Sequence, residues 1–311
     1  MARALGCQAH AGLILLVASV ALACAAEPGA PERWRRAQLS GGCPQAVIEV
    51  SRLAAEGDAT AMQQLSDWRY FGTCLPKDDA LSAEWARRAA EAGLDVAMAT
   101  LGQLYWHGQG VPADRDQARF WLARAADAGL APAMVLLSRF LHEHGGEPVL
   151  VLAWARRAAA LGHAPAYAWL AELYARGIAG RVDFAEAYVW IERALAAEPT
   201  ARTGDGHPMA ALQLARAWAA LHLGRHDDAV LACDAVPAHA REYPTAQLYK
   251  AHALLLNGQT GNALELYAAN RVLRGADAFT AALRADFAAL RAGGIDHPGM
   301  RRVEQRLLHG D

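Results

Sequence analysis

Residues 97–129 read AMATLGQLYWHGQGVPADRDQARFWLARAADAG, and the order of residue types in this stretch decides the fold. Leu101 and Tyr105 lie about one helical turn apart, and so do Trp121 and Ala125, so each half carries an apolar stripe at helical period. Between the halves stands Gly108-Gln109-Gly110-Val111-Pro112, with Asp114 after it, and glycine and proline there make a turn. Gly129 stops the second half. The stretch therefore reads as helix, turn, helix, with Leu and Tyr columns on the first helix facing Trp and Ala columns on the second.

Working outward, the same text repeats. Trp85, Trp121, Trp154 and Trp190 recur at intervals of 36, 33 and 36 residues, a range that marks stacked supersecondary units. Each is followed three residues later by an arginine, Arg88, Arg124, Arg157 and Arg193, and then by a small pair such as Ala89-Ala90. Gly93, Gly129 and Gly162 end the second helices. Leu65, Leu101, Leu137 and Leu170 form the matching column of the first helices, and the turn recurs as Gly72 to Asp78 and Gly177 to Asp183. The third unit lacks three turn residues and has His144 at the turn glycine, so it is read as degenerate but still helical. Pro132 and Pro165 open units three and four in the first turn, where proline costs no hydrogen bond. The small pairs are expected to let helices approach closely and the tryptophans to fill the space between units.

These columns resemble the SEL-one-like repeat family, short-solenoid relatives of the tetratricopeptide repeat. The resemblance covers residues 58–200. It implies an all-α fold, an α-solenoid of helix-turn-helix repeats, and a role as adaptor or scaffold. A half-unit at 46–57 precedes the array as a cap, so the array is taken as 46–200. Beyond it, Ala217, Leu221, Gly224, Ala229 and Cys233 recur 34 residues later as Ala251, Leu255, Gly258, Ala263 and Tyr267. That is the tetratricopeptide period, so 201–311 is read as a C-terminal tetratricopeptide-like helical region. Ala201 to His207 forms the linker, and helices at Phe279 to Arg291 and Met300 to Leu308 close the far end.

Residues 1–26 are a different kind of text. Arg3 precedes an uncharged run from Ala11 to Ala23 that is too short to span a bilayer and ends in small residues, as a signal peptide does. The chain is thus expected to be exported to the periplasm. Cys24 offers a second reading, an outer-membrane lipoprotein, although Ala21 and Leu22 stand in the reverse of the usual lipobox order. Residues 27–45 form a leader, with Arg33, Arg35 and Arg36 clustered around Trp34. A formal charge of -2 leaves no cationic excess for phosphates, so no nucleic-acid partner is expected.

Candidate sites follow from the repeat register. In stacked helix pairs the first helices line the concave surface, so the side chains left unused there are binding candidates: Gln64, Asp67, Gln103, Trp106, Arg139, Trp169 and Glu172. Trp106 and Trp169 rank first, since tryptophan is enriched in binding hot spots, with core packing as the other reading. Cys43 and Cys74 fall in successive turns; a disulfide between them is one reading and two separate thiols the other. Cys233 is read as a buried small hydrophobe. His142-Glu143-His144 with Glu147 is the one cluster able to hold a metal, but histidines two apart point to different sides of a helix, so a solvated helix end is preferred. The arginine ladder is expected to pair with acidic residues three positions on, Arg88 with Glu91 and Arg124 with Asp127.

No catalytic motif is present, and no Ser has a Lys three residues later. The expectation is a non-catalytic, cofactor-free protein-interaction scaffold that holds another envelope protein or peptide segment, and that meets a membrane only if Cys24 is lipidated. Its alternatives are a scaffold component of envelope assembly or exopolysaccharide export, and an enzyme acting on cell wall or β-lactams.

Overall fold

The computed structural model describes residues 30–178, 180–197 and 208–308. The expected signal peptide, Cys24 and the linker 201–207 lie outside the described residues, as do the side chains around Trp34. Every regular element among the described residues is a helix. The chain divides into two compact units, Met1–Arg124 and Ala125–Asp311.

The first unit begins with α1 (Ala30–Ala55), which breaks at Gly42, where φ is 71°. There follow α2 (Ala59–Phe71), α3 (Asp79–Glu91) and α4 (Asp95–His107), and α5 (Arg115–Asp127) runs across the division. In the second unit, α6 (Ala131–Glu143) pairs with α7 (Pro148–Ala160), and α8 (Ala164–Ala175) with α9 (Phe184–Ala197). Next come α10 (Pro208–His222) with α11 (His226–Asp234) and α12 (Tyr243–Leu256) with α13 (Thr260–Arg274). The last two helices are α14 (Ala276–Ala292) and α15 (Pro298–Leu308). Helix α9 packs directly on α10, so the last two SEL-one-like pairs and the pairs after them share one compact unit; the division falls in α5 rather than at the 201–207 segment. A solenoid has contacts only between neighbours, so a change of repeat type need not weaken any one interface.

Local chemistry fixes each helix. Asp78, Asp114 and Asp183 stand at equivalent places and cap the second helices: their carboxylates accept from Leu81 N (3.0 Å), Gln117 N (3.0 Å) and Glu186 N (3.0 Å). Each aspartate also donates its backbone N–H to the preceding helix, at Arg69 O, Tyr105 O and Tyr174 O, which closes the turn. First helices end on glycine in the left-handed region at Gly72 and Gly108, both with φ 68°. In the degenerate unit the left-handed position has not been lost: it moves one residue on to Gly145 (φ 73°), while His144 caps α6 and stacks on Phe140 at 4.4 Å. Gly110 is obligatory for another reason as well, since a Cβ there would lie 1.8 Å from Asp79 O.

The cores are built from small residues between leucine columns. Leu65, Leu101, Leu137 and Leu170 are buried, and so are the alanine pairs of the second helices, Ala89-Ala90, Ala125-Ala126 and Ala158-Ala159. Each buried leucine contributes about 1.5–3 kcal/mol of transfer free energy. The tryptophan ladder is where the structure departs from the sequence reading. Trp85, Trp154 and Trp190 are half-buried, and only Trp121 is buried. The paired alanines already fill the interior, so the indoles lie at its margin. There each ladder arginine covers its own indole, with guanidinium-to-ring distances of 4.7, 5.3, 5.2 and 4.6 Å for Arg88, Arg124, Arg157 and Arg193. The expected pairs Arg88–Glu91 and Arg124–Asp127 are replaced: Arg88 bonds Glu84 at 2.5 Å, and Asp127 faces Arg157 at 4.0 Å. Helical side chains lean toward the N-terminus, so an arginine meets the residues three and four before it, Trp85 and Glu84 for Arg88.

Candidate functional site

The candidates fall into two sets, one in each unit. In the first unit, Gln64, Asp67, Gln103 and Trp106 are all half-buried on α2 and α4. Asp67 accepts from Gln63 Nε2 at 2.8 Å, and the same nitrogen reaches Thr100 Oγ1 at 3.3 Å, so this carboxylate helps tie α2 to α4. Burial raises its pKa above the usual carboxylate value, and the Gln63 hydrogen bond opposes that only in part. Trp106 stacks on His107 with ring centroids 5.0 Å apart.

Cys43 and Cys74 are joined in a disulfide, Cα–Cα 5.0 Å, which ties the second part of α1 to the turn after α2. Closing a loop of 31 residues stabilises by about 3–4 kcal/mol in the chain-entropy account. Cys233 is fully buried among Ala229 and Ala232, and burial pushes its thiol up to about 12.

In the second unit the structure brings three candidates together. Trp169 is core: it is 4 % exposed and donates Nε1–H to Ser138 Oγ at 2.8 Å, while Ser138 donates to Val151 O at 2.7 Å. It is therefore not a free hot spot, because a buried polar bond holds the indole between α6 and α8. Arg139 lies over that indole at 4.4 Å and is exposed. Glu172 binds Arg176 at 3.0 Å.

Arg139, Glu172 and Arg176 edge a groove of about 580 Å³. First helices α6 and α8 pack side by side, and so do α10 and α12, but between α8 and α10 the groove opens. One wall is the α8 stripe Ala164, Ala168, Ala171 and Ala175. The other is the α10 stripe Ala211, Ala215 and Ala219, joined by Leu212 and Trp218. Phe184 and Ile191 of α9 close the back. Sequence reasoning missed the whole α10 wall because it assigned that helix to a separate region. The available signal was alanine at spacings of three or four on α8 and four on α10. At the far end His222 stacks on Phe184 at 3.9 Å with its ring nitrogens buried and without a hydrogen-bond partner among the described residues, and burial lowers its pKa to about 4.

The His142–His144 segment gathers no metal site, and no group of three or more His, Cys, Asp or Glu that could hold a metal is found among the described residues. His142 instead meets Trp169 edge-on at 5.6 Å, and the His144 ring bonds Phe140 O at 2.8 Å.

Among solved structures, the chain is similar to a protective antigen present in uropathogenic Escherichia coli strains that displays an SLR fold. That likeness has a TM-score of 0.64 at 22 % identity and covers 90 % of this chain and 65 % of the other, so this chain spans about two thirds of its length. A Sel1 repeat protein from Oxalobacter formigenes gives a TM-score of 0.58 at 21 % identity, covering 78 % of this chain and 99 % of that one. At these identities the likeness speaks for the fold. No curated protein matches the sequence. Repeats of this kind typically mediate protein–protein interaction. The Sel1 repeat matches at residues 59–94, 95–130, 131–163 and 164–198, each unit starting at the first residue of a first helix, α2, α4, α6 or α8, so the chain carries four Sel1 repeats in tandem.

Proposed function

We propose that this chain is a non-catalytic scaffold of the bacterial cell envelope that holds a segment of another envelope protein on its first-helix face. The observation that carries the reading is the groove between α8 and α10. Among the described residues its lining holds no Ser, Thr, Cys, His, Lys or Tyr, and its one carboxylate, Glu172, is engaged by Arg176. Apolar walls with a few polar groups at the edge suit binding, and a nucleophile–base pair is what acyl transfer would require. Export is supported by the character of residues 1–26 and by a disulfide, a bond that persists in oxidising compartments.

The test is affinity capture from envelope extract with wild-type protein and with Ala215→Trp, which fills the groove from an exposed position. A protein retained by the first and lost from the second identifies the client. Steady turnover of a fluorogenic β-lactam by the purified protein, abolished by a single Ser substitution, would establish the enzyme reading instead.

A further inference from the structure

The groove has a shape and a charge that together select an occupant. Its two long walls are helices, and each presents alanines at intervals of about one turn, over about 16 Å on α8. Small side chains at that spacing leave a channel in which the ridges of a further helix can seat, at the 8–10 Å separation of packed helices. Ala211 and Ala215 are exposed, so the channel is open along the α10 side.

Among the described lining residues, all charge lies on the α6–α8 wall and the α10 wall has none. Of the three charged groups, Glu172 and Arg176 neutralise each other at 3.0 Å. Arg139 is left over. Its guanidinium lies over the Trp169 ring at 4.4 Å, and it forms no ion pair among the described residues. A cation held over an aromatic face keeps its N–H groups available to a second partner, and an exposed arginine of this kind suits a bidentate carboxylate.

We infer that the groove between α8 and α10 takes an amphipathic helix of a partner protein, with apolar residues at i, i+4 and i+7 against the alanine walls and an Asp or Glu on the flank that meets Arg139. This rests on the scaffold reading above and adds the chemistry of the bound segment. Helix-in-groove recognition reads just such spaced anchors, and the one unpaired charge of the groove sets the direction in which the helix lies.

The test is selection from a displayed library of fully randomised 14-residue segments on the full chain, followed by affinity measurement of the selected peptides. Enriched sequences should carry apolar residues at i, i+4 and i+7 with an acidic residue on one flank, and should become helical when bound. Ala215→Trp should abolish their binding, and Arg139→Glu should weaken it about tenfold or more while favouring peptides with Lys or Arg at the flanking position. Circular dichroism of both variants checks that the helices are retained. Enrichment of proline-containing or extended segments, of sequences without an acidic residue, or of peptides indifferent to Ala215→Trp would overturn the inference, as would no enrichment at all. Self-association of the wild type that Ala215→Trp removes would make the occupant a second copy of this chain. A client captured from the envelope whose binding survives Ala215→Trp would sink the groove while leaving the scaffold reading in place.

Discussion

The two tryptophans that the repeat register ranked together differ in what surrounds them. Trp169 is buried and bonded to Ser138, whereas Trp106 is half-buried and stacked on its neighbour His107. Trp169→Ala should therefore cost about 3–5 kcal/mol in urea denaturation, from cavity formation and a buried Ser138 oxygen left without its donor. Trp106→Ala should cost well under half of that; equal losses would place Trp106 in the core as well. The cap aspartates are a second residue-scale case, because the same side chain in three units does the same thing. Asp114→Ala should lower stability by about 1 kcal/mol, and Asp114→Asn, which keeps an accepting oxygen, by much less. The paired arginines show a division of labour that spacing alone did not reveal. Arg88 and Arg157 cover their indoles, while Arg87 and Arg156, one residue earlier, donate to the Tyr105 and Tyr174 hydroxyls of the next first helix.

At the scale of elements, α10 is the helix that gives the second unit its groove, and its end carries the pH-sensitive feature. His222 is neutral in the folded chain down to about pH 4, whereas the unfolded chain takes up the proton near 6.5. Stability is unaffected above pH 6.5 and falls as pH drops from 6.5 toward 4, because only the unfolded state then binds the proton. After allowance for partial exposure this amounts to roughly 2 kcal/mol. Burial lowers His163 and His226 too, so they act in the same direction. His222→Gln should make the acid limb of the stability curve shallower without flattening it; an unchanged slope would show that the ring titrates normally. Farther along, His252 joins three helices. It accepts from the Tyr267 hydroxyl at 2.8 Å and donates to Asp286 at 3.2 Å, which links α12, α13 and α14 through one buried ring. Tyr267→Phe leaves a buried nitrogen unpaired and should cost about 1–3 kcal/mol, seen as faster hydrogen exchange in α13 and α14.

On the scale of the whole molecule, stability in a solenoid is a sum of unit and interface contributions. The disulfide lies wholly within the first unit, in its N-terminal cap. Reduction, or Cys43→Ser with Cys74→Ser, should lower protection from hydrogen exchange in α1 and α2 by about 3–4 kcal/mol and leave α10 to α14 unchanged. A uniform loss over both units would mean that the chain unfolds as a single cooperative body. The terminal helices serve the same logic at the other end. Phe279, Phe287, Met300 and Val303 of α14 and α15 are fully buried and cover the last repeat pair.

The sequence by itself determined the helices, their pairing into repeats and most of the turns and caps, since these depend on residues within about 36 positions of one another and recur from unit to unit, the degenerate third unit lacking the cap aspartate. It also set Cys43, just past the break in α1, and Cys74, in the turn after α2, 31 residues apart, within the same range. Tertiary structure alone decided which columns face inward once alanines had filled the interior. That moved the ladder tryptophans to the margin under their arginines and drew Trp169 into the core. It also decided that α8 and α10, on either side of a change of repeat type, stand apart and leave a groove. Spacing within a helix says which side chains share a face, but what that face meets is set by a helix more than thirty residues away, and no local pattern records the distance between them.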